Sequence, residues 1–384
     1  MSSSPRYSER KVINLAKEHI KRLEPCVHGG DVWDAASRFG LSQKDILDFS
    51  SNVNPLGPSP KAIEALKEGL WRIPFYPDPK YTSLRKALAE YHGVETENII
   101  VGNGSTELIY LFCEVFLGNS EEVLIPIPTF GEYEVATQRA GGKAIFLKMS
   151  PDFTVNTPEL IESVGAKSKL IFLCNPNNPT GNLTFKDKLT EVLDYAASRN
   201  LLVVVDEDFI EFTSQPRRYS LTDIVQRFPN LFILRSLTKF FGLAGLRLGY
   251  GVGGRGIINL LLKAKAPWNV NCLAEVSAIA ALKDLDFAKK TRHLIQEERA
   301  FLFEELSRIK GLRVFRSEAN FILIDIRGTG LTGAELKERL LRLGVLIRDC
   351  SSFRGLDEHY IRVSVRTRAE NMKLLEAIKK IVSG

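Results

Sequence analysis

Cysteine is scarce in this chain, and its placement excludes more than its number does. Cys26, Cys113, Cys174, Cys272 and Cys350 are spread over 384 residues without one C-x-x-C pair. Neither a disulfide framework nor a zinc site is indicated, and no metal is expected. No run of about 18 apolar residues exists, which excludes a membrane-spanning helix. The opening Met1-Ser2-Ser3-Ser4-Pro5 is polar and lacks the apolar core of a signal peptide, so a reducing cytoplasm is the expected compartment. Blocks of like charge are missing too. The 52 basic and 46 acidic residues are interspersed, for a net charge of +6. Nucleic acid is therefore not indicated as a partner. A small phosphorylated or carboxylated substrate suits the mild basic excess. No internal repeat or low-complexity tract is present.

What is there reads as a soluble globular enzyme-sized chain, 44% apolar and 26% charged. The length suits one large domain plus a smaller one. Val12, Ile13, Leu15, Ala16 and Ile20 predict an amphipathic helix from about Ser8 to Leu23, an arm packed on the body or on a partner subunit. His28-Gly29-Gly30 and Asn52–Pro58 break regular structure. From about residue 98 the chain alternates. Short strands are expected at Ile99–Val101, Glu122–Ile125, Leu170–Leu173, Leu202–Val205 and Leu231–Leu234. Helices such as Thr106–Phe116 and Phe185–Ser198 lie between them. Such runs imply an α/β fold, a mostly parallel sheet with helices on both faces and right-handed crossovers. After about residue 285 a long charged helix leads into strands at 320–325 and 360–365 and a helix at 333–343, a smaller α+β domain. The expected division is an N-terminal arm and small-domain segment at 1–50, a large domain at 51–270 and a C-terminal small domain at 271–384.

In open α/β sheets ligands bind at the carboxyl ends of the strands, so the residues just past each strand carry the candidate chemistry. Gly102-Asn103-Gly104-Ser105-Thr106 turns into a helix, whose first N–H groups and dipole can hold a phosphate. An ordinary N-cap by Ser105 is the plainer explanation. Cys174-Asn175-Pro176-Asn177-Asn178-Pro179-Thr180-Gly181 is a rigid loop with more amides than a turn needs. Asp206 ends an apolar strand, where a carboxylate is costly unless it meets a cation such as a protonated pyridine nitrogen; a helix cap is the alternative. Lys239 follows another core strand among Leu237, Phe240 and Phe241. Such surroundings disfavour the ammonium and make the amine nucleophilic. Ser236, Thr238 and Arg247 add phosphate-binding candidates. Together these loops supply what pyridoxal phosphate requires: a phosphate cradle, a carboxylate for the pyridinium and a lysine for a Schiff base. Phe130 can stack on the ring. Two other motifs are set aside. Ser236-x-x-Lys239 lacks the companion S-D-N and K-T-G sequences. Gly251-x-Gly253-x-x-Gly256 lacks an acidic strand end about 20 residues on, because 271–275 reads as a loop entering a helix.

From His28 to the C-terminus the chain resembles the fold-type-I pyridoxal-phosphate enzymes, within the group that includes histidinol-phosphate aminotransferase. Asn177-Asn178-Pro179-Thr180-Gly181 and Ser236-x-x-Lys239 with Arg247 carry that likeness. More closely it resembles the threonine-phosphate decarboxylases of cobalamin biosynthesis. The carriers here are His28-Gly29-Gly30-Asp31, Asp48–Gly57, Leu234–Phe240, Ala266–Asn271, Ile347-Arg348-Asp349-Cys350 and Gly355-Leu356-Asp357. The resemblance implies that Gly104, Ser105, Thr106, Ser236, Thr238 and Arg247 hold the cofactor phosphate and that Phe130 stacks on the ring. It implies that Asn178 contacts the ring hydroxyl, Asp206 pairs with the pyridinium and Lys239 carries the cofactor. Arg362 would hold the substrate α-carboxylate. His28, Asn52 and Arg348 would hold the substrate phosphate, joined by Tyr76 from the other subunit of a homodimer.

Aminotransferases of this group usually carry Tyr where this chain has Phe209, whereas the decarboxylases resemble it in carrying Phe. The missing hydroxyl removes a hydrogen bond of roughly 1.5–3 kcal/mol to a charged group. The activity implied is decarboxylation of L-threonine O-phosphate to (R)-1-aminopropan-2-yl phosphate and carbon dioxide. Histidinol-phosphate aminotransferase is the alternative, and a regulatory module that only binds the cofactor is the non-enzyme alternative. Serine phosphate, one methyl smaller, remains a third substrate, because a methylene-sized difference discriminates by only about 1–3 kcal/mol.

Overall fold

Alternation of side chains along fully buried strands decides the architecture of the computed structural model, which describes residues 9–40 and 42–382. A two-residue strand, β1 (Leu47–Asp48), precedes seven that build the central sheet. These are β2 (Ile99–Gly102), β3 (Glu122–Ile127), β4 (Lys143–Lys148), β5 (Ser168–Cys174), β6 (Leu202–Asp206), β7 (Leu231–Ser236) and β8 (Gly249–Gly253). Their order is β2-β8-β7-β6-β5-β3-β4, and only β8 runs against its neighbours. Val203 and Val205 of β6 enter one apolar cluster and Val204 the other; Ile233 and Phe232 of β7 divide the same way. Period-2 strands that are apolar on both faces must be covered on both faces. The helix Lys186–Ser198 covers one face with Leu189, Val192, Leu193 and Ala196, spaced as one helical stripe. The helix Gly104–Phe116 covers the other with Leu108, Ile109, Leu111 and Phe112.

Five further strands follow: β9 (Arg313–Val314), β10 (Phe321–Asp325), β11 (Val345–Leu346), β12 (Arg348–Asp349) and β13 (Tyr360–Ser364). Four form an antiparallel sheet in the order β12-β13-β10-β9, while β1 pairs in parallel with β11. The pairing of Leu47 with Val345 thus brings residues just before 50 beside the C-terminal elements. The helix Leu285–Ser307 is the long charged one expected after residue 285. Among the described residues no helix is long and apolar enough to cross a membrane.

Two local expectations change. In place of one N-terminal helix there are two short ones, Glu9–Asn14 and Glu18–Lys21; Ser8, the expected start, and the polar residues 1–5 lie outside the described residues. Val12, Ile13, Leu15 and Ile20 are 55%, 58%, 76% and 39% exposed, so the apolar stripe is left uncovered by the described residues. Propensity alone rarely sustains a helix of that length. The glycines of Gly251-Val252-Gly253 also find their reason. A Cβ at Gly251 would lie 2.2 Å from the Phe232 ring and one at Gly253 3.0 Å from it. They make room for a core aromatic rather than for a pyrophosphate.

Candidate active site

The loops after β2, β3, β5, β6 and β7 meet at one edge of the sheet, beside a cavity of about 1210 Å³ whose far wall comes from the N-terminal segment and from β12 and β13. At the β2 end, Asn103 provides no side-chain cap for the helix that begins at Gly104. Ser105 sits inside the first turn rather than at the cap, and Thr106 faces the cavity. The turn needs Gly104, whose φ is +79° and whose Cβ would lie 2.7 Å from the Arg247 Nη2. The Arg247 guanidinium therefore rests over the open end of the helix. Ser236 and Thr238 share a 2.5 Å hydroxyl contact at the β7 end, and the Thr238 N–H donates to Ser236 Oγ at 3.0 Å.

Asp206 ends β6 almost fully buried. Tyr133 Oη donates to its Oδ2 at 2.7 Å, and the Asp208 backbone N–H donates to its Oδ1 at 3.0 Å. Burial, and after it the charge of Asp208, push this carboxyl up to about 7. A buried carboxyl held so near neutrality is poised to pair with a ring N–H. Phe130 faces the cavity and meets Tyr133 edge-on.

Lys239 differs from expectation in one respect. Its Nζ is 5.9 Å from the centre of the Phe209 ring. Yet Nζ also pairs with Asp208 Oδ2 at 2.9 Å. The surroundings are therefore not uniformly apolar, and desolvation alone does not describe this lysine. Asp208 Oδ2 accepts from Ser105 Oγ as well, at 2.8 Å.

The C-terminal strands contribute two buried arginines. Arg362 on β13 is 5% exposed; Nη1 donates to Asn178 Oδ1 and Nη2 to the Ser50 carbonyl at 2.9 Å, while Nε has no partner. It forms no ion pair among the described residues, and burial pulls its guanidinium down to about 10. Arg348 on β12 lines the cavity, but its terminal nitrogens donate to the carbonyls of Val27 and His28, at 2.7 and 3.0 Å, and to Ser352 Oγ. It clamps the segment that carries His28. His28 Nε2 meets Glu132 Oε1 at 2.7 Å, and its ring lies 6.0 Å from that of Phe130. Burial opposes ionisation of Glu132, but hydrogen bonds from His28 and Tyr110 hold its carboxyl below the usual range. Cys26 approaches the same pair, the ligand atoms of the three lying within 4.8 Å of one another, although Glu132 is already engaged by both neighbours. Asn52 is buried at the cavity wall with Oδ1 unpartnered.

Of the sequence-derived candidates, the cavity gathers His28, Asn52, Thr106, Phe130, Asn178, Thr238, Lys239, Arg247, Arg348 and Arg362 directly. Gly104, Ser105, Asp206 and Ser236 lie immediately behind this wall, joined to it by the contacts above. Tyr76 is not gathered. It is 81% exposed and stacks on Trp268, 4.8 Å between ring centres. Three participants escaped the sequence reading: Tyr133, Glu132 and Asp208. For Asp208 a signal existed, since it stands two residues beyond Asp206 and side chains two apart at a strand end share a face. For Tyr133 and Glu132 no local signal existed.

These features fit pyridoxal phosphate. The uncapped helix start under Arg247 suits its phosphate, the buried carboxyl of Asp206 its ring nitrogen, and the amine of Lys239 its aldehyde. Comparison with known proteins agrees. The family model for class I and II aminotransferases matches residues 44–378. A histidinol-phosphate aminotransferase of Methanothermobacter thermautotrophicus is 40% identical over 95% of this chain and 97% of its own length. A protein of Caldanaerobacter subterraneus provisionally named threonine-phosphate decarboxylase is 41% identical over 94% of this chain and 95% of its own. The crystal structure of the histidinol-phosphate aminotransferase from Clostridium acetobutylicum superposes with a TM-score of 0.83 at 34% identity, covering 88% of this chain and 99% of that one. The chain belongs to the class I and II aminotransferase family of pyridoxal-phosphate-dependent enzymes.

Proposed function

We propose that this enzyme decarboxylates L-threonine O-phosphate to (R)-1-aminopropan-2-yl phosphate. The observation that carries the reading is a buried arginine, Arg362, that shares one cavity with His28 and Asn52. Arg362 is a buried cation with an unpartnered Nε and no carboxylate of its own. His28, held by Glu132 and seated by Arg348, faces the same space. A substrate bearing both a carboxylate and a phosphate satisfies both. Histidinol phosphate has no carboxylate and would fill only one of them, and amino transfer would use Arg362 for 2-oxoglutarate in a separate half-reaction. Phe209 adds support, because it presents an apolar ring beside Lys239 where the aminotransferases resembled here carry a hydroxyl.

The cofactor, when bound, supplies an electron sink for the pair released at Cα. The chain's own residues do the rest. Gly104, Ser105, Thr106, Ser236, Thr238 and Arg247 would hold the cofactor phosphate, and Phe130 would lie against its ring. Asp206, oriented by the Tyr133 hydroxyl, holds the proton on the ring nitrogen. Asn178 is aimed by Arg362 and reaches the ring hydroxyl. Arg362 would grip the α-carboxylate and so orient the bonds at Cα. Lys239 Nζ would be a donor of the proton that Cα takes up in place of carbon dioxide. Asn52, with its free Oδ1, turns its amide N–H groups to the substrate phosphate alongside His28. Tyr76 stands among exposed Leu70, Trp71, Ile73, Phe75 and Trp268. We infer that a second copy of the chain covers this apolar face and that Tyr76 completes the partner's phosphate site.

Amino transfer from histidinol phosphate is the second reading, and it is favoured by the name that most of the curated relatives carry. The two reactions share their binding groups and differ in which bond at Cα is aligned. Purified protein given threonine phosphate alone is expected to release carbon dioxide. No carbon dioxide there, together with glutamate formed from histidinol phosphate and 2-oxoglutarate, decides for the second reading.

A further inference from the structure

Asp208 is a buried carboxylate that the reaction above does not use. It is 7% exposed, yet three of the site's parts converge on it. Its Oδ2 accepts from Lys239 Nζ at 2.9 Å and from Ser105 Oγ at 2.8 Å. Its backbone N–H donates to Asp206 Oδ1 at 3.0 Å, which fixes the turn that aims the side chain. Its Oδ1 is buried without a partner. A carboxylate so placed is costly unless it answers a positive charge, and the only ion pair it makes among the described residues is with Lys239.

We propose that Asp208 is a positioning residue acting through Lys239. It pins the ε-ammonium when the lysine is free, and it steadies the positive charge on the same nitrogen when the lysine is joined to the cofactor. The other charged groups facing this nitrogen do not substitute for it. Asp206, on the same turn, is engaged by Tyr133. Arg247 from the loop before β8 and Arg362 from β13 line the same cavity but are cations themselves. From the opposite wall, His28 and Glu132 are paired with each other. Among the described residues Asp208 is thus the carboxylate paired with Nζ. Its second contact, to Ser105, ties this role to the phosphate cradle.

The inference rests on Lys239 carrying the cofactor, and its test separates the two. Asp208→Asn keeps the side-chain shape and removes the charge; Asp208→Glu keeps the charge. Each is loaded with pyridoxal phosphate, and the long-wavelength visible band of the protonated lysine–cofactor linkage is titrated with pH. An opposite charge within about 4–6 Å moves a titration by about 1–3 pH units. The midpoint in Asp208→Asn is therefore expected to fall by that amount, and Asp208→Glu to recover part of the fall. An unmoved midpoint overturns the proposal. So does a change in cofactor affinity without such a shift, or loss of the band in both variants, because the carboxylate then serves Ser105 and the cradle instead. Failure of the underlying reading looks different: Lys239→Ala would itself keep the visible band.

Discussion

Replacing Arg362 by glutamine separates what this residue does for folding from what it does for substrate. The free chain buries a guanidinium that has no carboxylate partner, only Asn178, the Ser50 carbonyl and the Phe321 ring 5.1 Å away. Burial pulls it down to about 10, a penalty on the order of 3 kcal/mol for keeping the cation in the fold. Glutamine removes the buried charge and retains a donor for the same acceptors, so thermal stability is expected to hold or rise. Catalysis moves the other way. Hydrogen bonds to charged groups contribute about 1.5–3 kcal/mol each, and two on a carboxylate total about 3–6 kcal/mol. At about 1.4 kcal/mol per decade, kcat/KM for threonine phosphate should fall by about two to four orders of magnitude. Steady-state kinetics, a melting curve and the visible spectrum of the bound cofactor measure all three on one preparation. A loss of kcat/KM under tenfold with cofactor retained refutes the assignment of Arg362 to the carboxylate. A sharp fall in melting temperature refutes the view that its charge is held against stability for a ligand.

Two further predictions concern the cofactor. Because Asp206 sits at about 7 in the fold and near 4 unfolded, the native cofactor-free chain holds the extra proton in between. Its stability is fully present below about pH 4 and should fall, on the order of 2–4 kcal/mol, as pH rises through about 7. Asp206→Asn should flatten that dependence in chemical denaturation across the range. Gly104→Ala forces a side chain into a φ of +79° and against Arg247 Nη2, so cofactor dissociation measured by dialysis should increase at least about tenfold.

The fold was legible because its strands are short apolar runs separated by helical segments, and both faces of Leu202–Val205 and Leu231–Leu234 are apolar. The strand-end residues Asp206 and Lys239 follow from that pattern by the rule for open α/β sheets. His28, Arg348 and Arg362 did not follow from any local pattern; only the family resemblance pointed to them, since the pairing of β1 with β11 that draws 47–48 to 345–346 is invisible to periodicity. Tyr133 reaches Asp206 across 73 residues of chain, and Glu132 reaches His28 across 104. The N-terminal helix failed for the opposite reason: its period was real, but among the described residues no surface covers Val12, Ile13 and Leu15.

Reduction of the loaded protein with borohydride, followed by mass mapping of its peptides, tests the central claim most directly. The phosphopyridoxyl label is expected on the peptide containing Lys239 and to vanish, with the visible band, in Lys239→Ala. A label on another lysine, or a band that survives that substitution, would contradict it.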